Sequence, residues 1–136
     1  MKIIACIDDH CGMSFNKRRQ SRDRVVIDQI CKFVKGYVLW ISPASMGLFK
    51  ERDITIKQNS TYLDLAADDD FCFVEFDLID NVLPKVDSVY LFQWNTEYPA
   101  DLLFPMSKIL QEFKLMEKHD FIGYSHPIIT LEVFKR

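Results

Sequence analysis

Lys2-Ile3-Ile4-Ala5-Cys6-Ile7, followed at once by Asp8-Asp9-His10-Cys11-Gly12, is the stretch that decides the fold. An apolar run of this length, rich in Ile and closed by a polar turn, reads as a short buried strand. Helices should then flank the sheet that contains it on both faces, and the next segment supplies one. Val26, Ile27, Ile30, Cys31, Phe33 and Val34 recur at helical spacing, with Ser21 able to cap the start and Gly36 to close the end. Tyr37–Ile41 is a second short apolar run, bounded by Gly36 and Pro43, after which Ser42-Pro43 opens a short helix.

The rest of the chain continues the pattern. Met13–Gln20 reads as a loop, and Arg52–Lys57 as a half-exposed strand with Ile54 and Ile56 inward. Asp68-Asp69-Asp70 makes a turn before a strand at Phe71–Phe76. Asp77–Val82 has room for about two helical turns, stopped by Leu83-Pro84. Val89–Trp94 is the next strand, and Gln111–Glu117 and Ile128–Phe134 read as two strands joined by a polar connection containing Gly123. Parallel βαβ units first and an antiparallel hairpin last predict an α/β three-layer sandwich around a mixed, mostly parallel central sheet.

The 136 residues form one domain, 1–136, with no repeat or linker, and 49% hydrophobic residues are enough for one core without staples. Seventeen basic against 20 acidic residues give a net charge of −3, which argues against a surface built for nucleic acid. No apolar run approaches the roughly 20 residues that span a bilayer, so the expectation is a cytoplasmic protein without a membrane partner. Cys6 and Cys72 lie inside apolar runs and read as reduced thiols, and the four cysteines frame no zinc site. The phenylalanines of the strands read as core, whereas Trp40 and Trp94 lie near strand ends where a cleft would open. The apolar strand Val89–Trp94 and the terminal hairpin could present an edge to a second copy, giving a homodimer.

Chemistry-bearing clusters are few. Lys17, Arg18, Arg19, Arg22 and Arg24 fall close together in a chain that is acidic overall. Cations in a helix's first turn oppose the macrodipole unless an anion answers them, so the segment is either a solvated face or an anion site. His10, His119 and His126 are far apart, and no metal site is expected. Asp8 and Asp9 beside His10 are at most half of one, and a polar turn otherwise. There is no P-loop or GxSxG elbow, and Ser14 and Ser45 have no base nearby in sequence.

Four pieces resemble the dihydrofolate reductase family, in the right order and nearly end to end. Ala5–Asn16 is similar to its opening strand and mobile loop, A-A-V-D-x-x-x-G-I-G-x-N. Leu83-Pro84-Lys85-Val86-Asp87-Ser88-Val89-Tyr90-Leu91 resembles L-P-x-x-D-x-L-Y-L, and Ala100-Asp101-Leu102-Leu103-Phe104-Pro105 resembles G-D-T-x-F-P. Ile129–Arg136 resembles the closing strand Y-x-F-x-x-Y-E-R. The resemblance implies a dihydrofolate-reductase-like fold with a ligand cleft at Ala5, Cys6, Ile30, Trp40 and Ser45. It also sets the basic segment over that cleft, making Lys17, Arg18, Arg19 and Arg22 candidate anion-binding residues.

The departures bear on activity. Arg19-Gln20-Ser21 stands where the family has Leu-Pro-Trp, and Val26 falls at the position of its catalytic carboxylate. Asp23, one turn earlier, is the candidate acid, its other reading being a solvated first-turn residue favoured by the helix dipole. Ser42-Pro43-Ala44-Ser45 replaces the phosphate-holding G-R-x-T turn. Val74-Glu75-Phe76 replaces the Gly-Gly bend, bringing side chains and a negative charge to where a pyrophosphate would approach. The expectation is a degenerate member without a cofactor, binding a small anionic or heteroaromatic ligand or a partner. The alternative is a divergent NADPH-dependent oxidoreductase using Asp23.

Overall fold

The computed structural model describes all 136 residues, Met1–Arg136. Its elements are β1 Lys2–Ile7, β2 Gly12–Phe15, β3 Arg18–Arg19, α1 Arg24–Val34, β4 Val38–Ile41, β5 Thr55–Gln58 and α2 Tyr62–Leu65. There follow β6 Phe71–Val74, β7 Ser88–Gln93, β8 Leu102–Leu103, α3 Met106–Glu112, β9 Lys114–Phe121 and β10 Ile129–Lys135, with 3₁₀ turns at Pro43–Phe49 and Leu83–Lys85.

Seven strands form one sheet in the order β5-β4-β6-β1-β7-β10-β9. β5 to β7 pair in parallel, and β10 is antiparallel to both β7 and β9. The mixed, mostly parallel sheet closed by a C-terminal hairpin is thus as predicted. Alternation along β1 divides the core. Ile3, Ala5 and Ile7 face the layer of α2 and α3 with Tyr62 and Ile109, while Ile4 faces the layer of α1 with Val26, Ile27, Ile30 and Val34. No helix is long and apolar enough to cross a membrane.

Several local readings are corrected. Met13–Gln20 is not a plain loop: β2 and β3 pair through Ser14–Arg19 and Phe15–Arg18, and β8 joins β2 to make a second, three-stranded sheet. The turn between β2 and β3 holds Asn16 at φ 51° and Lys17 at φ 58°, the two left-handed residues of a tight hairpin turn. α1 is capped by Asp23, whose side chain accepts from the Val25 N–H, and not by Ser21. Asp77–Val82 forms no helix; a 3₁₀ turn follows it at Leu83–Lys85, directed by Pro84. Gln111–Glu117 divides between the end of α3 and the start of β9. Val89–Trp94 lies inside the sheet between β1 and β10 and is no edge; the terminal hairpin does supply one through β9, exposed along most of its length, and β5 is the other.

Ile30 lies on the buried face of α1 with none of its surface exposed. Ile30→Ala should therefore cost about 2–5 kcal/mol, the range for buried methylene loss. A denaturant melt should show a lower midpoint with unchanged slope; a loss under about 1 kcal/mol would mean this layer is loosely packed.

Candidate functional site

The carboxyl ends of parallel strands are where an open α/β sheet presents a crevice. Here Cys6 near the end of β1, Phe73 near the end of β6 and Glu75 just beyond it line the crevice, α1 covers them with Val26 and Ile27, and Trp94 follows β7. The cavity between them is about 20 Å³, room for about one water. Side chains from the hairpin and from a distant loop close it.

The first closure is ionic. Arg19, on β3, reaches across to Glu75 just beyond β6, with Nε 2.5 Å from one carboxylate oxygen and an η-nitrogen 2.9 Å from the other. Ser45, on the 3₁₀ turn, donates to the same carboxylate at 2.7 Å. Glu75 is only 9% exposed and Arg19 24%, so this two-pronged pair lies in a half-dry place where it is worth more than a surface pair. Burial pushes the Cys6 thiol beside it well above its ordinary value; Glu75 adds to the rise and Arg19 opposes it. Cys6 is accordingly an inert wall.

The second closure centres on Asp23. Its side chain is fully buried yet accepts from the backbone N–H groups of Val25 and Tyr124 at 2.9 Å and of Ser125 at 2.8 Å. The His126 Nδ1 stands 2.9 Å from it. Burial alone would raise this carboxyl's pKa, but the Tyr124 N–H, the His126 imidazole, and the Ser125 and Val25 N–H groups outweigh it and hold it far below the usual carboxylate range. Asp23 is neither solvated nor a first-turn acid. It is an ionised cap that stitches α1 to the connection between β9 and β10. Gly123 makes the stitch possible, because a Cβ there would lie 2.7 Å from an Asp23 carboxylate oxygen. His126 is 7% exposed, stacks on Trp94 at 4.6 Å, and faces Ser21 Oγ at 2.9 Å and Tyr98 Oη at 3.2 Å with Nε2.

The expected site residues separate. Cys6, Arg19, Arg22 and Asp23 line the cavity, and Ser45 touches it through Glu75. Ala5 and Trp40 are on the opposite face of the sheet, as the two-residue period of their strands dictates, and Trp40 donates to Asp70 at 2.9 Å. Ile30 is one turn too far along α1 and is core. Of the basic residues, Lys17 and Arg18 point to separate outer surfaces, Arg19 is taken by Glu75, and Arg22 also lines a neighbouring cavity of about 310 Å³ with Arg24 and Arg52. Asp8 serves as a turn organiser: burial would raise its pKa, but N–H donors from Tyr98, Gly12 and His10 hold it lowered. His10 faces Glu97 at the surface instead, 3.3 Å away. Glu75 was legible in sequence as an obstruction. Ser21 and His126, 105 residues apart, gave no local signal.

Among solved structures, dihydrofolate reductase from Enterococcus faecalis, complexed with NADP(H) and RAB-propyl, superposes with a TM-score of 0.66. The match covers 99% of this chain and 95% of that one, at 8% sequence identity. The fold is that of dihydrofolate reductase. No family model matches the sequence, and no curated protein does. In this reductase fold, Glu75 with its two partners occupies the strand-end crevice, and Asp23 is spent as a cap.

Two outcomes are expected. Arg19→Gln should cost about 1–3 kcal/mol in denaturant melts, reduced from the fully buried case because Arg19 keeps some water. Adding Glu75→Gln should recover most of that loss; purely additive losses would mean the pair is not coupled. For Asp23, the folded value lies below the unfolded one of about 3.9, so its contribution is present above about pH 4 and lost as pH falls through the folded value. Asp23→Asn should flatten the acid limb of stability against pH, leaving the smaller slope from Asp8. An unchanged acid limb would contradict the bonding pattern.

Proposed function

We propose that this chain is a dihydrofolate-reductase-fold protein that works without a nicotinamide cofactor and binds a small anionic ligand. The observation that carries the reading is Glu75, held in the strand-end crevice by Arg19 and Ser45. A pyrophosphate approaching that crevice would meet a buried carboxylate whose cation is already engaged, and charge repulsion there is costly at low dielectric. The structural neighbour is complexed with NADP(H), whereas here the arginine that reaches the strand ends, Arg19, is already engaged by Glu75. Asp23, ionised and fully bonded, is poorly suited to protonating a heteroaromatic ring at neutral pH.

The ligand reading favours an anion over a fused heteroaromatic ring. A cavity of about 20 Å³ admits no ring unless the Arg19–Glu75 pair opens, whereas the cavity of about 310 Å³ beside it is lined by Arg22, Arg24 and Arg52. Arg52 is paired with Asp28 and Arg24 lies over the Tyr124 ring at 4.5 Å. Arg22 has no carboxylate partner, which makes it the cation available to a ligand.

Titrating NADPH against the protein and following its fluorescence should show no saturable binding up to about 100 μM, a weak-affinity range. Saturable micromolar binding would overturn the reading and restore an NADPH-dependent oxidoreductase. Millimolar phosphate should raise the melting temperature by mass action, less so at high salt, and Arg22→Gln should remove the shift. A shift that persists in Arg22→Gln would place the anion elsewhere.

A further inference from the structure

Beyond ligand binding, Ser21, His126 and Asp23 form a connected array. The His126 Nδ1 is 2.9 Å from the Asp23 carboxylate, and its Nε2 is 2.9 Å from Ser21 Oγ. An ionised carboxylate only accepts, so Nδ1 carries a proton toward it, and in the neutral ring the Nε2 lone pair then faces the serine hydroxyl. That is the order of contacts by which a serine is activated as a nucleophile, and it is recognised by geometry and not by chain order. The ring is fixed from its flat side by Trp94 at 4.6 Å. Ser21 is among the residues that line the small cavity. The backbone N–H of Arg22, next to it in the chain, has no protein acceptor and is the donor available to an oxyanion.

We propose that Ser21 is an acyl-accepting nucleophile, with His126 as its general base and Asp23 as the residue that positions the imidazole. Ser21 Oγ attacks the carbonyl carbon of an ester while its proton passes to His126 Nε2. The bond from that carbon to the alcohol oxygen breaks, and His126 returns the proton to the departing alcohol, leaving acyl-Ser21. Water then attacks the acyl carbon and gives a proton to His126. The acyl–Oγ bond breaks, Oγ regains the proton, and a carboxylic acid is released.

The surroundings define the substrate class. The cavity of about 20 Å³ walled by Val26, Ile27 and Trp94 holds about one water, so it restricts the acyl half to the smallest groups, and even acetyl enters only as the Arg19–Glu75 pair gives way. The neighbouring cavity, which shares Arg22 and Asp23 with it, would take an alcohol half bearing a carboxylate or phosphate. That second half rests on the anion-binding reading above; the nucleophile does not.

Tyr98 Oη, 3.2 Å from Nε2, is a second hydroxyl at the same nitrogen and competes with Ser21 for it. An array serving only to tie the loop to α1 would need no reactive serine, and reactivity separates the two roles. The probes are p-nitrophenyl acetate and a fluorophosphonate ester, both neutral, so that failure of the arginine cavity to bind anions would not affect the result. Intact-mass measurement should show one adduct per chain, mapped to Ser21 with a protease other than trypsin, because Arg19 and Arg22 flank it closely. Ser21→Ala should abolish the adduct. His126→Gln should slow labelling at least about a hundredfold, the usual contribution of a general base. Tyr98→Phe, which leaves the array intact, should label at least as fast as the parent and serves if His126→Gln does not fold. Absence of a Ser21 adduct on the unmodified protein, or labelling as fast in a folded His126→Gln, would overturn the proposal.

Discussion

An ionised carboxylate buried where almost no water reaches it is costly, and Asp23 is one. The arrangement around it exists to meet that cost. Backbone N–H groups from the first turn of α1 and from the loop between β9 and β10 converge on it, together with His126. Because those donors come from segments about a hundred residues apart, satisfying Asp23 fixes the helix against the terminal hairpin. His126 carries the constraint onward to Ser21, Tyr98 and Trp94. The mouth of the crevice is therefore rigid on this side for a reason that starts with one side chain.

The opposite side depends on Arg19, Glu75 and Ser45. A buried ion pair of this kind contributes little net stability compared with apolar residues of the same size, because both charges lose their water. What it supplies is position: the β2–β3 hairpin can lie over the sheet only where Arg19 meets Glu75 with both prongs. It also places fixed charge at the strand-end crevice.

The sheet was readable because its strands are buried runs whose composition admits little else. β1, β6, β7 and β10 each carry apolar residues on both faces, and burial on both faces is a strong local signal. Where one face meets solvent the signal weakened. Gln111–Glu117 alternates enough to imitate a strand, although Ile109 is the one buried anchor of a short helix that ends at Glu112. The small β2–β3 hairpin was hidden by its basic tip, and the four-residue α2 by its brevity. Ser21 and Asp23 are both good caps, and only the loop after β9 decides for Asp23 by donating to it. The Glu75 obstruction was visible because it is local, whereas the Ser21–His126 contact depends on the topology bringing two chain ends together.

Asp23 acts as a permanently charged organiser and not as a proton donor. Carbon-detected NMR of its side-chain carboxyl, titrated with pH and assigned against Asp23→Asn, reads that state directly. The resonance should remain at its ionised position down through about pH 3, below the ordinary carboxylate midpoint of about 3.9. A midpoint at or above about pH 5, the elevation expected of a carboxyl poised to give up a proton near neutrality, would contradict it.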